Sequence, residues 1–378
     1  MDRRFAAQIG IFFVSLAIGS AALAASTPWR EFGFGLDQKR YNKYETTLGA
    51  SNVSQLQRLW LVQTRDDYQA QSSSAIVVNG LAYVGTVFQN KLLALHADTG
   101  AIHWNQKLDG PVYGSAMIVG HTLYATAYGN RVYAFDARSG APIWTSAALG
   151  SLGTTSPTVA NGKLYVGGFD GNLWAFDAST GAALWRTATG AALHASAAVV
   201  NGVVYIGSDQ LYAIDANDGT IKWAADVGGD AAWSSPAVAN GVVIVGAGDG
   251  NIYSFDVATG ARRWATQTGK YIDSSPAVAN GVVYIGSQDF NLWAVRASDG
   301  KKLWLGATNG VVSSSPAVAN GVVYVGSADG SVYAFDAASG VKLWSDITPG
   351  PIRASPTIVN GRLYLSSGGG AIYAYGLP

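Results

Sequence analysis

The chain has 378 residues, with 24 basic and 24 acidic side chains and a formal net charge of zero. That sparse, scattered balance leaves no field to hold a polyanion, so nucleic acid is excluded as a partner. Cysteine is absent, which removes disulfides, thiolate metal ligands and a lipidated N-terminal cysteine together.

The first predicted element is a targeting segment. Arg3-Arg4 precede an apolar run from Ile9 to Leu23 that closes on Ala22-Leu23-Ala24, the basic, apolar and small-residue order of a secretory signal peptide. Residues 1–24 are therefore expected to be removed and the mature chain to be periplasmic or secreted. The alternative is an uncleaved anchor, because the run approaches the roughly 20 residues a helical span needs. No later segment is expected to cross a membrane. Residues 25–50 form a polar and aromatic lead segment outside any repeat, and residues 51–378 are expected to make one propeller domain, functioning as a monomer.

The stretch from Ser314 to Trp344 shows how that domain is built. Pro316 to Asn320, Val322 to Ser327 and Ser331 to Ala337 read as strands, cut by Asn320-Gly321, Asp329-Gly330 and Ser339-Gly340, dipeptides that suit tight hairpins. Val341 to Trp344 supplies a fourth strand. The unit recurs: full copies run from Ser73 to Trp104, Gly114 to Trp144, Thr155 to Trp185 and Ala195 to Trp223, and three more begin at Ser234, Ser274 and Ser314. Trp60, Trp104, Trp144, Trp185, Trp223, Trp264, Trp304 and Trp344 mark the repeat, roughly 40 residues apart.

An eighth copy starts at Ala354-Ser355-Pro356 and ends at Tyr375-Gly376 after three strands, without its Trp, whereas Leu59 to Val62 is a fourth strand with no first three. Each end supplies what the other lacks. The expected fold is all-β, an eight-bladed β-propeller of four-stranded antiparallel blades, closed by the N-terminal strand joining the last blade, with no sheet edge left by an open array.

The pattern Ala-x-Asp-x-x-(Thr/Ser)-Gly-x-x-x-Trp recurs from copy to copy, as in Ala134, Asp136, Gly140 and Trp144 and again in Ala175, Asp177, Gly181 and Trp185. The Ala admits the next blade, the Asp accepts turn N–H groups, the Gly takes positive φ and the Trp covers apolar surface between blades. These residues read as scaffold. His96 and Arg296 break the Asp position.

The position just before each inner strand varies instead: Ser72, Tyr113, Thr154, His194, Trp233, Asp273, Ser313 and Arg353. The topology aims all eight at one mouth of the central channel, making them a candidate ligand-binding ring; freely drifting loop positions would give the same pattern. No nucleophile, base and orienting acid fall at neighbouring positions, so no catalytic residues are assigned. With four histidines a transition-metal site is not expected, and Asp170, Asp249, Asp289 and Asp329 at hairpin tips are accounted for by turn chemistry as well as by calcium.

The repeat resembles the tryptophan-docking motif of the pyrroloquinoline quinone (PQQ) propellers, the fold of quinoprotein alcohol dehydrogenases and of the outer-membrane assembly propeller lipoprotein. Trp29, Gly33, Arg40-Tyr41-Asn42, Asn52-Val53, Leu56 and Trp60 look like the leading segment of the dehydrogenases, and Gln71, Ala75, Val77-Val78-Asn79-Gly80 and Tyr83-Val84 continue the likeness. The resemblance implies PQQ and calcium as cofactors, with Trp233 where the family stacks a Trp under the quinone and Asp249 near its Asn calcium ligand. It departs at Ser72, where the family has a Glu, and in lacking the adjacent-cysteine disulfide and the long insertions that roof those sites.

Two functions follow. One is an extracytoplasmic binding or scaffold propeller that takes a protein or saccharide partner on the variable face, with no cofactor; the other is a reduced, PQQ-dependent alcohol dehydrogenase-like oxidoreductase.

Overall fold

The structure, a computed structural model, describes residues 28–64, 73–128, 131–149, 152, 154–231 and 233–378. The segment read as a signal peptide lies outside the described residues, as does Ser72. Among the described residues no helix is long and apolar enough to cross a membrane.

Eight antiparallel sheets surround a channel. Blades 1 to 7 begin with the short inner strands Ile76–Val78, Met117–Val119, Thr158–Ala160, Ala198–Val200, Ala237–Ala239, Ala277–Ala279 and Ala317–Ala319. Blade 8 has Thr357–Val359, Arg362–Ser367 and Ala371–Gly376, and its outer strand is Gln57–Gln63, paired antiparallel with Trp60 opposite Ala374. The ring thus closes as expected, with the joining strand longer than Leu59 to Val62.

Sequence explains the blades locally. The Asn-Gly hairpins need two successive left-handed residues, and Asn320 and Gly321 have φ of 43° and 77°, the geometry of a type I′ turn. The Asp-Gly and Ser-Gly tips use it only at the glycine. The eight Trp side chains join blades: Trp104 donates its indole N–H to the Ala137 carbonyl of blade 2 at 3.0 Å and covers Gly140, where a Cβ would lie 2.7 Å from the ring. In blades 1, 2, 4, 6 and 8 a Tyr adds a second bond to the same turn of the next blade, as when the Tyr83 hydroxyl reaches Ala137 O at 3.0 Å. In blade 3, where the Trp185 indole N–H is unpartnered, the Tyr165 hydroxyl alone makes the bond, to Ala216 O at 3.0 Å. The Tyr contribution is invisible in the spacing of the motif.

The two breaks in the Asp position are accommodated differently. Arg296 pairs with Asp299 at 2.9 Å, and Asp299 takes over the turn by accepting the Lys301 N–H at 3.1 Å. His96 packs edge-on against His103, centroids 4.9 Å apart.

The lead segment is the element that the repeat logic leaves unassigned. It threads the channel and satisfies the inner-strand edges that face the axis. Trp29 exchanges bonds with Val77 of blade 1, and the carbonyls of Arg30, Leu36, Asp37, Lys39 and Arg40 accept N–H bonds from Ile118, Val199, Val238, Val278 and Val318 of blades 2, 4, 5, 6 and 7. The Asn42 side chain donates to Ile358 O of blade 8 at 2.8 Å, and Tyr41–Asn42 adds a fifth, parallel strand to blade 7. The segment meets the blades in ring order, 1, 2, 4, 5, 6, 7 and 8, winding round the inside of the channel as a plug. It does so with Phe34, Gln38 and Arg40 at φ of 68°, 56° and 48°, a strained backbone that only dense packing maintains.

Arg40 anchors this plug. It is 1% exposed and donates from Nε to Pro316 O and from Nη2 to Pro356 O, each at 2.8 Å, and from Nη1 to Phe32 O. Burial lowers its pKa to about 9, which still leaves it charged at neutral pH. Its guanidinium also lies over Trp29 and Phe32, 5.5 and 4.5 Å from the ring centroids.

Candidate functional site

The channel mouth opposite the Asn-Gly turns holds a cavity of about 520 Å³. Tyr113, Thr154, His194, Trp233, Asp273, Ser313 and Arg353 all line it; seven of the eight variable positions are therefore brought to one place. Phe32 of the plug also lines it, so the lead segment forms part of its wall.

Two residues beyond each variable position stands a serine: Ser74, Ser115, Ser156, Ser196, Ser235, Ser275, Ser315 and Ser355. These form a head-to-tail belt. The backbone N–H groups of Ser115, Ser156, Ser196, Ser235, Ser275, Ser315 and Ser355 each donate to the hydroxyl oxygen of the next blade's serine, the last to Ser74, at 2.8 to 3.0 Å. The serines are buried yet line the cavity. The belt was readable as an invariant position beside the variable one.

Above the belt the wall is divided. On one side five rings run edge to edge: Tyr113 to Tyr128 at 5.7 Å, Tyr128 to Phe169 at 5.4 Å, Phe169 to His194 at 4.7 Å, and His194 stacked on Trp233 at 3.7 Å and 11°. Burial holds the His194 pKa below its ordinary value, with Asp230 opposing, so the imidazole is neutral at pH 7 and Thr154 Oγ1 lies 3.5 Å from its Nδ1. The opposite side is polar. Asp273 Oδ2 accepts from Ser313 Oγ at 2.8 Å and Gln288 Nε2 at 3.3 Å, while Oδ1 is buried without a partner.

Phe32, Tyr128 and Phe169 escape a reading based on the variable ring. Tyr128 and Phe169 occupy the hairpin-tip place held by Ala328 in blade 7 and Gly248 in blade 5, and that swap of a small residue for an aromatic one is the signal that finds them.

The donor set does not match a quinone with its calcium. Asp249, where the resemblance puts a metal ligand, is engaged in its own hairpin, accepting from Tyr253 Oη at 2.6 Å and from Asn251 Nδ2 at 2.8 Å. Asp289 and Asp329 are likewise held by Trp293 and Tyr333 at 2.8 and 2.6 Å. Among the described residues no group of three or more His, Asp or Glu is placed to hold a metal, and one face of Trp233 is taken by His194. The cavity can bind and orient; it sets Thr154 Oγ1 against His194 and Ser313 Oγ against Asp273, but among the described residues no carboxylate is hydrogen-bonded to His194 to complete a triad.

Comparison with known proteins places this geometry. The family model described as outer membrane protein assembly factor BamB matches residues 45–192, 170–309 and 251–376. The chain belongs to this family of PQQ-repeat propellers. BamB of Xanthomonas campestris pv. campestris is 28% identical over 214 residues, covering 50% of this chain and 52% of that protein. The quinone alcohol dehydrogenase subunit of Gluconobacter oxydans is 25% identical over 158 residues, 37% of this chain and 20% of its own. The chain thus spans about half, or less, of the relatives it matches. Among solved structures, a europium-containing methanol dehydrogenase superposes with a TM-score of 0.81 at 15% identity over 93% of this chain and 98% of that one. BamB from Moraxella catarrhalis gives 0.72 at 20% identity over 85% and 100%. At these identities the solved structures share the fold.

Proposed function

We propose that this BamB-family chain is a non-catalytic, extracytoplasmic binding propeller that takes its partner at the channel mouth. The observation that carries the reading is the contrast at that mouth: seven blades present seven positions of differing chemistry around one cavity, directly above a belt in which every blade presents the same serine. The assembly-factor names of two matched relatives support a scaffold role, and the predicted signal segment supports an extracytoplasmic address.

A photo-cross-linking amino acid at Tyr113, which is 40% exposed at the mouth, tests it against the same residue at Ile102, 55% exposed on an outer strand. Irradiated in the intact cell envelope, the mouth position gains a defined mass and the outer position does not. Equal labelling, no labelling, or dye-linked alcohol oxidation with PQQ and calcium that is lost in Trp233→Ala would overturn the proposal. N-terminal sequencing of the mature chain should begin near Ala25; material retaining Phe5 would make the segment an anchor.

A further inference from the structure

We infer that the mouth cavity is a saccharide site, shaped for one or two pyranose rings; this rests on the binding reading above and names its ligand. Three features of the wall have to be met by one molecule. The aromatic side offers flat apolar faces, with Trp233 47% and Tyr128 45% exposed. The floor offers hydroxyl groups whose oxygens already accept a backbone N–H and which, among the described residues, donate to no protein acceptor; their O–H protons are available to a ligand acceptor. The polar side offers Asp273, whose Oδ1 has no donor, a state that costs free energy until one arrives.

A pyranose supplies all three: a C–H face that packs on a ring, ring and hydroxyl oxygens that accept, and O–H groups that donate to a carboxylate. The other ligand classes each miss one. A peptide that adds a strand needs a free sheet edge, and here the inner-strand amides are spent on the serine belt and the lead segment. A carboxylate or phosphate could meet Arg353 but faces Asp273 as a like charge on the same wall, and a planar aromatic acid brings no hydroxyl for Oδ1. The volume of about 520 Å³ lies in the range of roughly 300–1,000 Å³ that small-molecule pockets occupy.

Calorimetric titration of the full mature chain decides the matter, using cellobiose and N,N′-diacetylchitobiose, with sorbitol as a polyol lacking a ring face and benzoate as a planar acid. At least one disaccharide is expected to bind at millimolar concentration or below, sorbitol and benzoate not. Trp233→Ala and Asp273→Asn should each weaken that binding by about tenfold, and Ile102→Ser should leave it unchanged. In the unmodified chain the Trp233 indole resonance should shift on adding the same disaccharide, which reads the site without any variant. No disaccharide binding, binding indifferent to both variants, or binding of benzoate in its place overturns the saccharide assignment. The cross-linking at Tyr113 reads occupancy by any molecule, so that result and a failed titration separate the wrong ligand from the wrong site.

Discussion

Trp344 donates its indole N–H to the carbonyl of Leu56 at 3.2 Å, across 288 positions of sequence. Trp60, Trp104, Trp144, Trp223, Trp264 and Trp304 donate instead to the residue that follows the motif's Asp position in the next blade, and Trp185 makes no such bond. The Trp344 bond ends beside the short 3₁₀ turn Val53–Gln55, because the eighth blade takes its outer strand from the start of the chain. The seam is therefore held by Trp344 on one side and by Trp60, bonded to Ala97 O at 3.0 Å, on the other. Trp60→Ala and Trp344→Ala should each cost about 2–4 kcal/mol, since both rings are only part-buried, and by similar amounts. Thermal unfolding checks it; a truncation to residue 60 that melts unchanged would contradict the closure.

Glu31 gives the plug a pH dependence. It is 6% exposed with Oε2 unpartnered, and burial, reinforced by Asp37, raises its pKa from 4.5 to about 8. A raised folded-state value contributes stability that is complete below 4.5 and is lost as pH climbs through about 8, because the unfolded chain releases the proton first. Unfolding midpoints should fall between about pH 5 and 9, and Glu31→Gln should flatten that fall while raising stability at the alkaline end. An unaltered profile in the variant would place the titration elsewhere.

The serine belt should be sensitive one link at a time. Ser235→Ala deletes the acceptor of the Ser196 amide and leaves a buried N–H without a partner, costing about 1–3 kcal/mol. Hydrogen exchange at Ser196 should speed up more than at Ser275, whose amide bonds to Ser315 and is untouched by the change. Uniform acceleration around the ring would mean the links act as one unit.

PQQ with calcium is expected not to bind at micromolar concentration, and no dye-linked alcohol oxidation is expected, because the hairpin aspartates are occupied and His194 covers one face of Trp233. Fluorescence quenching by the quinone that disappears in Trp233→Ala would reverse this.

The blades were legible because most are specified several times over: a strand pattern, tight turns and a Trp at near-constant offset recur together, and the copies that lack one of these keep the others. The mouth was legible only in part. Tyr113, His194, Trp233 and Asp273 stand out against a repeat that otherwise changes little, but their contacts cross from blade to blade and have no signature in linear spacing. The plug was not legible at all as a plug. Residues 28–42 carry no period of their own; their conformation is dictated by amides on inner strands far along the chain, and a buried Arg40 reads in sequence like any exposed arginine.

That plug turns the propeller into a cup with a single door. A molecule resting on the serine belt would meet Phe32 of the lead segment, itself packed under the Arg40 guanidinium, and would leave by the rim over which it came. On the binding reading proposed above, a partner seated across Tyr113, Trp233 and Arg353 would set the residence time of a smaller occupant beneath it, coupling the two without any movement of the blades.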